Sequence, residues 1–165
     1  MWRAAGLTTL TANYTAAGVV AAVWSAVGRL GFTGGDVLEP GSGSGNFIAF
    51  APPGARMLAV ELDPVTAAIS AALYPRARIL NESFADTRAR QGSFDLVVGN
   101  VPFGQVTLTD RRHNRGEHSI HDHFLIKSLH LLRPGGLMAV LTSRYTLDRA
   151  NPAARREIAA LADLL

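Results

Sequence analysis

The stretch from Asp36 to Phe47, D-V-L-E-P-G-S-G-S-G-N-F, restricts the possible folds more than any other. Val37-Leu38 reads as the apolar end of a strand, Glu39 closes it, and Gly41, Gly43 and Gly45 follow Pro40 at alternate positions. Glycine accepts positive φ and carries no side chain, so the backbone there can turn sharply and lie against a ligand. A second apolar run, Met57 to Val60, also ends on an acid, Glu61, and leads into Leu62-Asp63-Pro64, a helix start. Two neighbouring parallel strands would bring Glu39 and Glu61 to one sheet edge, where open α/β sheets bind nucleotides. An acid placed there suits a ligand with a positive group, such as an amine.

The remaining punctuation predicts the same α/β class. Apolar residues at Val19, Val20, Val23, Trp24, Val27 and Leu30 predict a helix over 15–30, with Thr15 as its N-cap and Gly31 at its end. A short helix from Phe47 breaks at Pro52-Pro53-Gly54, a strand covers 56–62, and a helix runs from Asp63 to about Tyr74. Ala77 to Leu80 is a third strand. Phe94 to Gly99 is almost continuously apolar, as a central parallel strand should be. Ser119 to Asp122 reads as a capping box opening a helix with Phe124, Leu125, Leu129 and Leu132 on one face. Arg133 to Gly136 is expected to end that helix and Leu137 to Thr142 to form a fifth strand. A last helix is expected from Asn151-Pro152, with Ile158, Leu161, Ala162 and Leu165 at helical spacing.

Two kinds of nucleotide enzyme use such a glycine turn. Dinucleotide dehydrogenases want G-x-G-x-x-G, and here Asn46 stands where the third glycine belongs. E-P-G-S-G-S-G-N-F instead resembles motif I of S-adenosylmethionine-dependent methyltransferases, and E-L-D-P resembles their motif II. Asn100-Val101-Pro102-Phe103 resembles motif IV of enzymes that methylate an exocyclic amine or a planar amide, usually N-P-P-Y or N-P-P-F. Tyr14-Thr15-Ala16 is similar to motif X of DNA adenine methyltransferases, with Ala16 in place of the usual proline. The order of these motifs is that of the gamma group of N6-adenine DNA methyltransferases. The G-N-V-P-F-G variant, with S-I-H-D-H-F downstream, looks most like methylase segments joined to helicases in phage and plasmid anti-restriction proteins.

The resemblance implies a Rossmann-like, mainly parallel sheet with helices on both faces. It implies S-adenosylmethionine as cofactor and the N6 amine of adenine in DNA as methyl acceptor. It assigns cofactor binding to Tyr14, Thr15, Glu39, Pro40, Gly41, Gly43, Gly45, Asn46, Phe47, Glu61, Leu62, Glu82, Ser83, Phe84 and Asn100. Catalysis would fall to Asn100, Val101, Pro102 and Phe103. Residues 1–165 are expected to form one catalytic domain, with the motif X helix at 11–30 and without the two closing strands such sheets carry. A helicase domain and a target-recognition domain are the expected companions. RNA bases, protein glutamine, and a non-catalytic cofactor- or DNA-binding role remain open as alternatives.

Composition narrows the partners. With 48% hydrophobic residues, the chain can fill a core. It has no cysteine, which excludes disulfides and thiolate zinc and fits a reducing, cytoplasmic setting. Net charge is +3, and Lys127 is the only lysine among 16 basic residues. Arginine binds phosphate in a bidentate way, so nucleic acid is a natural partner, although a GC-rich genome also favours arginine codons. No apolar run is long enough to span a membrane. Gly104 to His118 is a polar loop containing R-R-H-N-R, read either as a mobile DNA-contacting loop or as an ordinary solvated face. His118, His121 and His123 invite a metal reading, but no hydrolytic acid-and-histidine motif accompanies them and methyl transfer needs no metal.

Overall fold

The structure is a computed structural model that describes residues 15–165. Five strands form one parallel sheet: β1 (Gly35–Pro40), β2 (Ala55–Glu61), β3 (Arg78–Asn81), β4 (Phe94–Asn100) and β5 (Leu132–Leu141). Their order is β3-β2-β1-β4-β5, with the chain reversing direction across the sheet after β3. Every pair is parallel, so all five carboxyl ends lie on one edge. The reversal between β1 and β4 opens a crevice at that edge.

Among the described residues six helices surround the sheet: α1 (Ala17–Arg29), α2 (Asn46–Ala49), α3 (Pro64–Leu73), α4 (Ile120–Leu131), α5 (Tyr145–Asp148) and α6 (Ala153–Leu161). On one face Val20, Trp24 and Val27 of α1 pack with Val37, Met57, Leu96 and Val98. On the other, Phe124, Leu125 and Leu131 of α4 pack with Leu38, Val60 and Val97. Consecutive residues of β1 and β4 thus feed opposite faces, which is why the centres of these strands are continuously apolar.

Several local expectations change. The N-cap of α1 is Ala16, and no side chain caps that helix. Asp63 does cap α3, accepting from the Thr66 N–H at 2.8 Å. At α4, Ser119 is the N-cap, but its hydroxyl donates to Asp122 at 2.7 Å rather than taking a backbone N–H, so the capping box is not made. Helix α4 is buried on nearly every side, including His121, Asp122, His123, Lys127 and Ser128, not on one apolar face. Helix α6 and loop 104–118 cover what would otherwise be its wet side.

Arg133 to Gly136 also departs from expectation. The stretch belongs to β5, whose register jumps from Phe94↔Leu132 to Leu96↔Leu137. The extra residues loop out as a wide bulge, and Arg133 turns back to Asp95 at 2.7 Å. Helix α6 stops at Leu161, and Leu165 is almost fully exposed, so the expected helical packing does not reach the last residues. No helix among the described residues is long and apolar enough to cross a membrane.

Candidate functional site

The carboxyl edge of the sheet holds a cleft of about 300 Å³. The first four strands contribute to it in order. From the turn after β1 come Glu39, Gly41, Gly43, Asn46 and Phe47. From β2 come Glu61 and Leu62, from the end of β3 Glu82, Ser83 and Phe84, and from β4 Asn100, Val101, Pro102 and Phe103. Thr15 closes the far end, and its carbonyl accepts from the Asn46 side chain at 3.0 Å.

The glycine turn is held by Glu61. One carboxylate oxygen accepts from the Gly43 N–H at 2.8 Å and the other from the Asp63 N–H at 2.8 Å. Ser42 adds a bond from its N–H to the Val60 carbonyl at 2.9 Å. Glu61 therefore ties the turn after β1 to the turn after β2 while still facing the cleft. Gly45 explains the third glycine differently. Its φ is 88°, and a Cβ there would stand 2.6 Å from the Tyr74 ring. It seats α2 against the end of α3 and does not line the cleft. Pro40 is likewise buried in β1, behind the lining. Tyr14 lies outside the described residues.

Glu39 is the electrostatic centre. It is 2% exposed. The Phe47 N–H donates to its carboxylate, but Oε2 has no hydrogen-bond partner among the described residues. Burial first, and then the charge of Glu61, push its carboxyl well above the ordinary range, against the pull of the Phe47 N–H. A buried acid with an unspent oxygen, facing a cleft, is a receptor for a cation or a hydrogen-bond donor.

The Asn100 end is built on the sheet. Asn100 pairs with Leu141 of β5, and the Val101 N–H donates to the Leu141 carbonyl at 3.1 Å. Val101 is buried in the α4-side core, which gives the residue in place of the usual proline a packing role. Pro102 and Phe103 are half-buried on the cleft wall.

Sequence reasoning missed part of the lining: Ser42, Ser44, Val60, Asp63, Thr66, Val106, Leu108, Ile120 and Phe124. Phe124 packs on Phe84 at 4.8 Å between ring centroids, so the expected core helix also forms the floor of the site. Val106 and Leu108 belong to the polar loop and line the cleft, Leu108 half-buried and Val106 exposed at its mouth. That loop is anchored: His113 and Asn114 are buried, and the Asn114 side chain donates to the Leu108 and His118 carbonyls at 2.9 and 3.2 Å. Arg111, Arg112 and Arg115 stay exposed. The clustered histidines take carboxylate partners, His118 with Glu157 and His123 with Asp110. Among the described residues no three such side chains are set to hold a metal ion.

No family profile matches the chain. A phage relative, the Defense against restriction protein B of Escherichia phage P1, is 32% identical over 142 residues, covering 84% of this chain. The chain spans about 6% of that relative's length. Solved structures align over most of the chain at low identity. A protein of Listeria monocytogenes assigned to the class I S-adenosylmethionine-dependent methyltransferases superposes with a TM-score of 0.66 over 86% of this chain and 48% of that one, at 14% identity. A TehB-like S-adenosylmethionine-dependent methyltransferase of Corynebacterium glutamicum gives 0.58 over 97% and 78%, at 17% identity. TrmN from Thermus thermophilus gives 0.56 over 84% and 40%, at 23% identity. The chain has the Rossmann-like fold of the class I methyltransferases.

Proposed function

We propose that this cleft binds S-adenosylmethionine and that the chain transfers its methyl group to the N6 amine of adenine in DNA. The observation that carries the reading is the convergence of the glycine turn, two acids and the Asn100–Phe103 segment on one cleft. The residues fit the cofactor at several points. Glu39 offers a buried carboxylate oxygen to the α-amino group of the methionine part. Glu61, at the end of β2, stands where a ribose would place its hydroxyls. Glu82 and Ser83 offer polar contacts to an adenine, with Phe84 and Phe124 as apolar walls.

Bound S-adenosylmethionine supplies a methyl group activated on a sulfonium. The chain's task is to present a nitrogen to it. An adenine amine is a poor nucleophile because its lone pair is delocalised into the ring. The Asn100 side-chain oxygen and the Val101 carbonyl each accept one of its N–H bonds. Two acceptors outside the ring plane draw the nitrogen toward tetrahedral geometry and free the lone pair. The carbonyl is present whether residue 101 is Val or Pro. Phe103 offers a flat face to the base, and such stacking is worth about 1–3 kcal/mol. Holding nitrogen and methyl in line supplies about 7–11 kcal/mol of the barrier.

DNA is favoured among carriers of this amine by the exposed arginines of loop 104–118 and by the phage relative's name, which refers to restriction. A methyl-incorporation assay on adenine-containing DNA, RNA and protein tests the reading. DNA should be labelled, and Asn100→Ala should lower labelling at least about a hundredfold, the usual weight of one preorganised hydrogen-bonding group aimed at the reacting atom. Near-normal turnover by Asn100→Ala would refute the role of this segment, and labelling of RNA or protein alone would refute the substrate.

A further inference from the structure

Lys127 is the only lysine in a chain that otherwise uses arginine. It lies on α4 and is 1% exposed. Its ammonium donates to the Phe84 carbonyl at 2.6 Å, the Ala85 carbonyl at 2.9 Å and Asp110 Oδ2 at 3.0 Å. All three of its donors are thus used. It also stands 5.0 Å from the centre of the Phe84 ring.

Asp110 continues the connection. Its Oδ1 accepts from the N–H groups of Arg112 and His113, each at 3.0 Å, and Oδ2 lies 3.1 Å from His123 Nε2. One buried ion pair therefore fastens two separate walls of the cleft to α4. The first is the Phe84–Ala85 turn after β3. The second is the loop after Phe103, whose Val106 and Leu108 line the cleft just before Asp110. A buried ion pair is seldom a net stabiliser compared with an apolar pair of the same volume. What this one does is fix where two loops sit. Arginine would serve poorly, since a planar fork cannot point three donors at acceptors arranged around a single nitrogen.

We propose that Lys127 and Asp110 are positioning residues of the cleft, setting the wall that faces the adenine of the cofactor and the loop beside it. The proposal rests on the cofactor reading given above. Calorimetric titration separates the two ideas. Wild type, Lys127→Met and Asp110→Asn are each titrated with S-adenosylmethionine and with 5′-methylthioadenosine, which keeps the adenosine and lacks the amino acid part. Lys127→Met should lose about tenfold or more in affinity, the scale of lost charge-assisted hydrogen bonds. The factor should be the same for both ligands, with the stoichiometry still one, because both carry the adenosine that this wall faces.

Asp110→Asn keeps both carbonyl bonds and should show a smaller loss of the same kind. It also decides the matter if Lys127→Met does not fold. Unchanged affinity in a folded variant would overturn the proposal. So would a loss confined to S-adenosylmethionine, or a fall in stoichiometry at constant affinity, which marks a purely structural role. A wild type that binds neither ligand would refute the cofactor reading itself.

Discussion

Glu39 shows how one residue's surroundings set its behaviour. Burial and the nearby Glu61 raise its folded-state pKa, whereas the unfolded chain titrates near the ordinary value of about 4.3. Its contribution to stability is therefore full below that value and is lost as pH rises toward the folded one. A cationic ligand reverses the sign, because its charge favours the carboxylate. Between the unfolded and the folded value, binding of S-adenosylmethionine should thus release protons, and affinity should rise with pH across that window. Calorimetry in two buffers of different ionisation enthalpy should show this release for wild type and none for Glu39→Gln; equal values would contradict it. Glu39, Glu61 and Asn100 were legible in the sequence because each ends an apolar run, and parallel strands align their ends. Lys127 was not. Nothing near it in sequence says that Phe84, 43 positions earlier, returns to cover it.

At the scale of elements, α4 differs most from its sequence pattern. A helix with His, Asp, Lys and Ser between leucines reads as amphipathic, but loop 104–118 and α6 bury both sides. The polar residues survive burial because they pair across elements, Asp122 with Arg149 and His123 with Asp110. Burial also lowers the pKa of His113, His121 and His123, outweighing the nearby Asp110 and Asp122. The unfolded chain takes up protons near pH 6.5 while the native histidines resist. Stability should therefore be present above about pH 6.5 and lost as pH falls toward the folded values. Thermal unfolding between pH 8 and pH 5.5, in the Glu39→Gln background to remove the opposing term, should show a falling midpoint. Each kcal/mol lost corresponds to about 2–4 °C. A flat profile would contradict the burial of these rings as neutral groups. The bulge in β5 was hidden for a related reason. Pro-Gly-Gly is ordinary turn punctuation, and only pairing with β4 shows that the strand begins before it.

Across the whole molecule, the strand order brings the ends of β1, β2, β3 and β4 together around one crevice. Most of the assigned residues line it because register in a parallel sheet is set by the apolar runs themselves. The sequence could not show which glycine packs rather than lines the cleft, since Gly45 answers to Tyr74 at the end of a later helix. Nor could it show that the arginine-bearing loop turns Val106 and Leu108 into the cleft. The central claim is that the cleft is an S-adenosylmethionine site. Its most direct test is calorimetric titration of that molecule into the folded chain, with Glu61→Ala in parallel. One equivalent should bind, with affinity lowered about tenfold or more in Glu61→Ala, the scale expected for lost hydrogen bonds to a charged group. No binding, or equal binding by Glu61→Ala, would contradict the account.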